Sequence, residues 1–376
     1  MSSERAAMVA RELSLPAPAV ARTLELLDGG ATVPFVARYR KEVTGGLDDG
    51  AIQRIHEHAA RVDAREARRA TILESLREQN VLTPDLERAV RAAATLPELE
   101  DLYLPYKPKR RTRAQTARER GLEPLATLIL EQRQAASREE LGRKYLGPEL
   151  PDLDAVFQGA RDIIAEQVAE RADIRAGLRR IFETKGELTV DAARGKSAAP
   201  ELQHYRDHLG RREKASKAPS HRLLAAERGE AEGVLRVRVE IHPVEAATTV
   251  RARVVRSGAP PLLAREVGVA LEESLDRLLL PSLESEFRRQ LKERADEEAI
   301  RVFAQNLEAL LLSPPLGAVP VLAIDPGLRT GCKVTMLSAE GDVKALATIY
   351  PHTGQEKEAG AAVTSLVRAH SPAAIA

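Results

Sequence analysis

A mainly α-helical chain that closes on the start of a small α/β domain is the fold class this sequence predicts, and three observations predict it. Aromatic residues are only 3% of the chain and tryptophan is absent, so cores must be built from Leu, Ala, Val and Ile, which suits helix packed on helix. Apolar residues recur at three- and four-residue spacing through most of 1–190 and 264–312, the period of amphipathic helices. From about residue 317 that period gives way to short apolar runs parted by glycine-containing turns, which is strand behaviour. The expected division is a helical domain over 1–190, a central region with strands and long helices over 191–316, and a partial α/β domain over 317–376.

The elements follow in order. A first helix ends near Ser14-Leu15-Pro16, and a second, from about Pro18 to Leu27, is closed by Asp28-Gly29-Gly30. A long helix is predicted over 48–79, where Ile52, Ile55, Ala59, Val62, Ala70, Leu73 and Leu76 repeat at helical spacing. Thr83-Pro84-Asp85 opens another helix, with proline at its first position. Pro105 and Pro108 break the pattern around a basic stretch, and further helices are predicted over 122–135, 137–145, 152–170 and 171–184. Alternation of apolar and charged residues over 233–241 predicts a half-buried strand, while 248–255 fits either a second strand or a helix. Leu271, Leu275, Leu278 and Leu279 fill one face before Pro281. Leu283, Phe287, Leu291, Ala295, Ala299, Phe303, Leu307 and Leu311 then mark a core-facing helix or an interdomain spine. Strands over 319–324, 332–337 and 343–350 form a predicted three-stranded meander, followed by a helix from Ala359.

Composition narrows the function classes. There are 57 basic and 56 acidic residues, a net charge of +1, which excludes a uniformly basic coat but leaves room for a local basic patch. Cys332 is the single cysteine, so no internal disulfide and no cysteine-built zinc site is expected. No run approaches the roughly 18 apolar residues of a membrane span. The expected setting is a reducing cytoplasm, with no membrane partner and no cofactor.

Several blocks carry a resemblance. They include Thr32-Val33-Pro34-Phe35-Val36-Ala37-Arg38-Tyr39-Arg40-Lys41-Glu42, then Asp101-Leu102-Tyr103-Leu104-Pro105-Tyr106-Lys107-Pro108-Lys109-Arg110-Arg111-Thr112-Arg113, then Ser220-His221-Arg222 and Arg228-Gly229-Glu230, then Leu280-Pro281-Ser282-Leu283-Glu284, and last Ile324-Asp325-Pro326-Gly327-Leu328-Arg329-Thr330-Gly331-Cys332-Lys333. In this order they resemble the Tex family of transcription accessory proteins. The resemblance implies a helical N-terminal region with helix-turn-helix character, a long central helix and an RNase H-like YqgF domain. In the family these are followed by helix-hairpin-helix modules and an OB-fold RNA-binding domain, so the chain is expected to be a piece cut within the YqgF domain. It also implies RNA or DNA as partner, with RNA polymerase or the ribosome nearby. The stretch 205–213 departs from the family, which places more aromatic residues there.

The candidate nucleic-acid-binding residues are cations. Lys107, Lys109, Arg110, Arg111 and Arg113 place five charges within seven residues, and Pro105 and Pro108 hold that chain extended, so neighbouring charges reach successive phosphates. Tyr103 and Tyr106 stand ready to stack on bases. The plain alternative is a solvated turn whose cations pair with Glu98, Glu100 and Asp101. Arg38, Arg40 and Lys41 form a second patch, with Arg38 and Lys41 on one face if the segment is a continuous helix; interdomain ion pairing is its alternative. Arg329 and Lys333 flank a third turn.

Asp325 ends an apolar strand where RNase H-like nucleases place their first metal-binding carboxylate. A two-metal site needs several carboxylates, so the expected role is vestigial or structural, capping the Asp-Pro-Gly turn. The expected function is therefore a non-enzymatic nucleic-acid-binding factor. The alternative is a Mg²⁺-dependent nuclease or resolvase, inactive in this length of chain. Weaker motifs fail. Gly195-Lys196-Ser197 lacks the first glycine of a phosphate loop, His204 and His208 lack a third ligand, and His56 and His58 face different sides of a helix.

Overall fold

Helix start signals order the first half of the protein. The computed structural model describes residues 2–108, 111–196, 199–327 and 330–376, in two units, 1–299 and 300–376. In the first unit lie α1 (Ser2–Leu13), α2 (Ala17–Asp28), α3 (Val33–Tyr39), α4 (Lys41–Thr44), α5 (Asp49–Glu78), α6 (Pro84–Ala92), α7 (Leu96–Tyr103), α8 (Arg113–Glu119) and α9 (Glu123–Glu131). They continue with α10 (Arg138–Gly142), α11 (Leu153–Ala169) and α12 (Ala172–Lys185). Thr32, Asp48, Thr83, Thr95, Thr112, Ser137 and Asp152 each accept a backbone N–H with the side chain at a helix start. Each such cap stabilises its helix by about 1 kcal/mol.

The buried face of α5 divides between three small cores, and it departs from the predicted stripe at one point: Ala70 is exposed, and Ile72 is buried in its place. Ile55, Ala59 and Val62 pack with α1 and α2. Ile52 packs with Val36 and Ala37 of α3. Ile72, Leu73 and Leu76 pack with Val90, Leu99 and Tyr103 of α6 and α7. Ile52 and Ile72 stand twenty residues apart, so α3 and α7 dock on α5 roughly 30 Å from one another at about 1.5 Å of rise per residue.

The central part is built on α11, whose Phe157, Ala160, Ile163 and Ile164 are wholly buried in the largest core. A three-stranded antiparallel sheet of order β2-β1-β3 joins it, made of β1 (Glu187–Ala192), β2 (Arg211–Lys214) and β3 (Leu235–Glu240). Strand β3 alternates as expected: Leu235, Val237 and Val239 are buried, Arg236, Arg238 and Glu240 exposed. Its outer edge is plugged by side chains. Val237 N–H donates to Glu230 at 3.0 Å, Val239 N–H donates to Glu284 at 2.9 Å, and Arg288 donates to the Val237 carbonyl at 2.9 Å. Strands β1 and β2 were not expected. Strand β2 consists of Arg-Arg-Glu-Lys, a charged edge that guards against strand addition and carries no apolar period to detect.

Between β2 and β3 runs α13 (Ser220–Ala231). The open choice at 248–255 resolves as a helix, α14 (Pro243–Val254), because Ala246, Val250 and Val254 at four-residue spacing all reach the core. Then α15 (Pro261–Ser274) leads through a π-helical turn, Leu275–Leu279, into α16 (Leu280–Leu311). Pro281 therefore does not stop the helix: the wider turn just before it relieves the clash a proline ring makes with the preceding turn. Along α16 only the first half of the predicted stripe is buried, at Leu283, Phe287, Leu291 and Ala295; Phe303, Leu307 and Leu311 are exposed.

The second unit holds β4 (Val321–Asp325), β5 (Cys332–Leu337), β6 (Val343–Ile349), α17 (Glu356–His370) and β7 (Ala374–Ile375). The meander β6-β5-β4 is antiparallel, and β7 adds a fourth strand parallel to β4, one more than expected. Leu322, Val334 and Met336 pack under Val363, Leu366 and Val367 of α17, giving the expected α/β beginning. Fold class and architecture are thus mainly α with a small α/β end.

Candidate nucleic-acid interface

The basic loop begins where α7 ends. Helix α7 carries a reciprocal cap, in which Thr95 accepts from Glu98 N–H and the Glu98 carboxylate accepts from Thr95 N–H. A single 3-10 turn, Leu104–Tyr106, follows, and Lys107 is already extended at φ −68°, ψ 131°. Thr112 restarts helix by accepting from Gln115 N–H at 3.0 Å, so Arg113 opens α8. Lys107, Arg111 and Arg113 are exposed. Lys109 and Arg110 lie outside the described residues, as does Arg329.

The acidic residues upstream form no ion pair with Lys107, Arg111 or Arg113, the described cations of this loop. Glu98 is spent on its cap, accepting also from Ala94 N–H at 2.7 Å. Glu100 binds Arg68 through two hydrogen bonds, 2.5 and 3.1 Å. Those bonds hold the Glu100 carboxyl below its usual range against the opposing effect of burial, with Arg68 and Lys107 adding charge attraction. Asp101 is buried, 4% exposed, and accepts from Arg175 at 2.5 Å and Arg179 at 2.8 Å; Glu286 of α16 accepts from Arg179 at 2.6 Å. Burial works to lower the Arg179 pKa, but the bonds from Glu286 and Asp101 more than reverse this and raise it. Among the described residues Lys107 and Arg113 have no ion pair, and Arg111 has one, with exposed Glu119 at 3.2 Å. Lys107 sits within charge range of Glu100, and Arg113 within range of Asp162.

Base stacking at the loop fails for Tyr103. Its ring is buried in the α5–α7 core, its hydroxyl shares a hydrogen bond with Ser75 at 2.9 Å, and Arg68 lies 5.6 Å from the ring centroid. Tyr106 is half-buried against the same core.

The second patch sits on α3 and α4. Val36 and Ala37 dock α3 on Ile52, which turns Phe35, Arg38 and Tyr39 outward. The segment is not one helix. Arg40, at φ −133° and ψ 28°, breaks it, so Arg38 and Lys41 do not share a continuous helical face as expected. Gly45 then ends α4 in the left-handed region at φ 75°, a position that favours glycine. The Arg40 guanidinium lies 5.2 Å over the Phe35 ring, and the Phe35 and Tyr39 centroids are 5.5 Å apart. Arg38, Arg40 and Lys41 are exposed and have no ion pair among the described residues.

The third site is Asp325, exposed at the end of β4 and in register with exposed Lys333 of β5. No hydrogen bond from a described residue to the Asp325 carboxylate caps the turn, whose Leu328 and Arg329 lie outside the described residues, and among the described residues no group of three His, Cys, Asp or Glu is placed to hold a metal ion. His204 and His208 lie in a 3-10 segment, Pro200–His208, whose three-residue period separates positions four apart. Among the described residues no helix is long and apolar enough to cross a membrane.

Comparison with known proteins places these sites. Residues 3–77 match the Tex-like protein N-terminal domain, 133–303 the Tex central region-like family, and 319–376 the Tex protein YqgF-like domain. The α3–α4 patch falls within the first match, Asp325 and Lys333 within the last, and the 107–113 loop between the first two. The chain is 44% identical over 359 residues to "Protein tex" of Bordetella pertussis, covering 92% of this chain and 45% of that protein. It is 39% identical over 379 residues to "Transcriptional accessory protein Tex" of Neisseria gonorrhoeae, covering 98% of this chain and 49% of that protein. To "S1 RNA-binding domain-containing protein 1" of Homo sapiens it is 26% identical over 355 residues, 89% of this chain and 35% of that protein. The chain thus spans half or less of the length of these relatives.

Proposed function

The chain belongs to the Tex family, and from that premise we propose that it grips RNA or DNA backbones as a non-enzymatic accessory factor to cytoplasmic transcription, with RNA polymerase or the ribosome as its protein partner. The names of two relatives point the same way, one a transcriptional accessory protein and one an S1 RNA-binding domain protein. The observation that carries the reading is the state of the 107–113 loop. Three carboxylates within its reach in sequence bind partners elsewhere, and among the described residues Lys107 and Arg113 have no ion pair and Arg111 has one, with exposed Glu119. Charges in that state release counterions when they meet phosphates, so binding is salt-dependent and indifferent to sequence.

Catalysis is the competing reading, and Asp325 is its centre. An exposed carboxylate beside Lys333, with no group of three possible metal ligands among the described residues, is a poor seat for two Mg²⁺ ions, which take several carboxylates. The test is to incubate the chain with end-labelled RNA and junction DNA, with and without Mg²⁺, and to follow retention and cleavage together. Retention without cleavage is expected. Metal-dependent cleavage that disappears in Asp325→Asn would replace the binding role with a nuclease.

A further inference from the structure

The outer edge of β3 is closed by side chains in the places a neighbouring strand would occupy. Val237 N–H donates to Glu230 at 3.0 Å and the Val237 carbonyl accepts from Arg288 at 2.9 Å, the two bonds that one residue of an antiparallel partner strand makes. Val239 N–H donates to Glu284 at 2.9 Å. All three side chains have ion partners if the edge is taken from them. Arg288 also donates to Glu227 at 2.7 Å and to Glu230. Glu284 stands four residues before Arg288 on α16, the spacing of a helical ion pair. An incoming strand therefore leaves no charge unpaired, and it replaces three hydrogen bonds with three.

Beside that edge lies an open groove of about 470 Å³ between β3, α13 and the start of α16. Its three carboxylates, Glu227, Glu230 and Glu284, are the ones turned to Arg288 and the β3 amides. The charged groups left on its rim are Arg236, Arg238, Arg289 and Lys292. Arg236 is exposed and has no ion pair among the described residues. Arg238 has Glu240 at 3.7 Å, Arg289 has Glu293 at 3.9 Å and Lys292 has Asp296 at 2.6 Å, all exposed pairs, which are weak and easily exchanged. The groove thus favours an anionic occupant. Cations alone would suit a phosphate chain as well, but the strand edge is something a peptide backbone can use and a polynucleotide cannot.

We infer that this edge is a docking site for an extended acidic segment of a partner protein, which adds to β3 as a fourth strand of the central sheet. The two-residue period of a strand fixes the pattern of that segment. A strand beside β3 presents alternate residues on the side of exposed Arg236 and Arg238, where carboxylates make cross-strand pairs of opposite charge. The residues between them fall on the side of buried Leu235, Val237 and Val239, where apolar groups belong. A segment that alternates acidic and apolar residues is therefore preferred. The inference goes beyond the polynucleotide reading and does not rest on it, since it uses none of the cations of 107–113.

Anisotropy of a labelled peptide of alternating Glu and Val, titrated with the whole chain, is the test. Three further probes accompany it: a Lys-Val counterpart, the Glu-Val peptide N-methylated at each valine, and a labelled oligonucleotide. The valines lie opposite Val237, so methylation removes the N–H groups that pair with β3 and leaves the charge unchanged. Binding of the unmethylated acidic peptide alone among the three peptides is expected, weakened roughly tenfold in Arg236→Glu/Arg238→Glu, a variant that gains affinity for the Lys-Val peptide. Both substitutions are at exposed positions, and far-UV circular dichroism checks that the fold is kept. No binding of the acidic peptide, or equal binding of its methylated form, overturns the strand addition. Oligonucleotide affinity that falls in Arg236→Glu/Arg238→Glu while the peptide stays unbound assigns the groove to a polynucleotide and overturns it too. Lys107→Ala/Arg111→Ala/Arg113→Ala, which bears on the polynucleotide reading alone, should hold the acidic peptide as the wild type does. Peptide binding lost in that variant would place the peptide on the basic loop and overturn the β3 site.

Discussion

Replacing Asp101 with alanine should cost this protein about 3–5 kcal/mol of folding stability, far more than an ordinary ion pair. Its carboxylate accepts from Arg175 at 2.5 Å and Arg179 at 2.8 Å, and both Asp101 and Arg175 are more than nine-tenths buried. With the carboxylate gone, Arg179 keeps Glu286 at 2.6 Å, but Arg175 retains only Ser282 at 3.4 Å and a longer contact to Glu286 at 3.6 Å. The cluster changes from two cations and two anions to two cations and one anion. A buried guanidinium is left uncompensated, which is the costly way to break such a pair. Asp85→Ala is the control, since the Arg88–Asp85 pair at 3.3 Å is exposed on both sides and should be worth under about 1 kcal/mol. Urea unfolding followed by far-UV circular dichroism measures both variants. A loss below about 1 kcal/mol for Asp101→Ala, no different from the control, would refute the buried-network reasoning.

Further outcomes follow from the same structure. Phe157→Ala, at a wholly buried position on α11, should cost about 3–5 kcal/mol in the same urea assay, and a loss under about 1 kcal/mol would mean the core there collapses onto the gap. The Glu100 carboxyl is held down chiefly by Arg68, so the stability it lends is full above the ordinary value of 4.5 and fades as pH falls through its lowered folded-state value. Melting curves of the wild type and Glu100→Gln should therefore differ by a constant amount near neutrality and converge on acidification below about pH 4.5; divergence there would contradict the assignment. Glu230→Ala/Glu284→Ala frees the N–H groups of Val237 and Val239 on the outer edge of β3. Concentration-dependent association should appear in sedimentation velocity, and a strictly monomeric double variant would show that the two carboxylates do not protect that edge.

Much of the fold is written in local patterns. The alternation of β3 and the stripe of α5, apart from exposed Ala70, survive because each was set by neighbours within a few residues. Strand β2 was invisible because a charged edge has no apolar period, whereas Leu188, Val190 and Ala192 of β1 alternate and offered a signal. The break at Arg40 involves neither proline nor glycine, so nothing in the local chemistry announces it. At the candidate interface, the cations of 107–113 were legible as a cluster, but that Lys107 and Arg113 have no ion pair among the described residues was not. That depends on where Asp101 and Glu100 are spent, and those partners, Arg175, Arg179 and Arg68, lie 32 to 78 residues away in sequence. Phe35 and Tyr39, spaced four apart on a helix, carry the ordinary pattern of a buried face; only the docking of Val36 and Ala37 shows that they look outward.

The most direct measurement is the salt dependence of RNA affinity for the chain and for Lys107→Ala/Arg111→Ala/Arg113→Ala. On a single strand each phosphate neutralised contributes about 0.7 to the slope of log K against log salt. The variant should bind more weakly and its slope should be shallower by about 2. An identical slope in both proteins would contradict the assignment of these cations to the polynucleotide backbone.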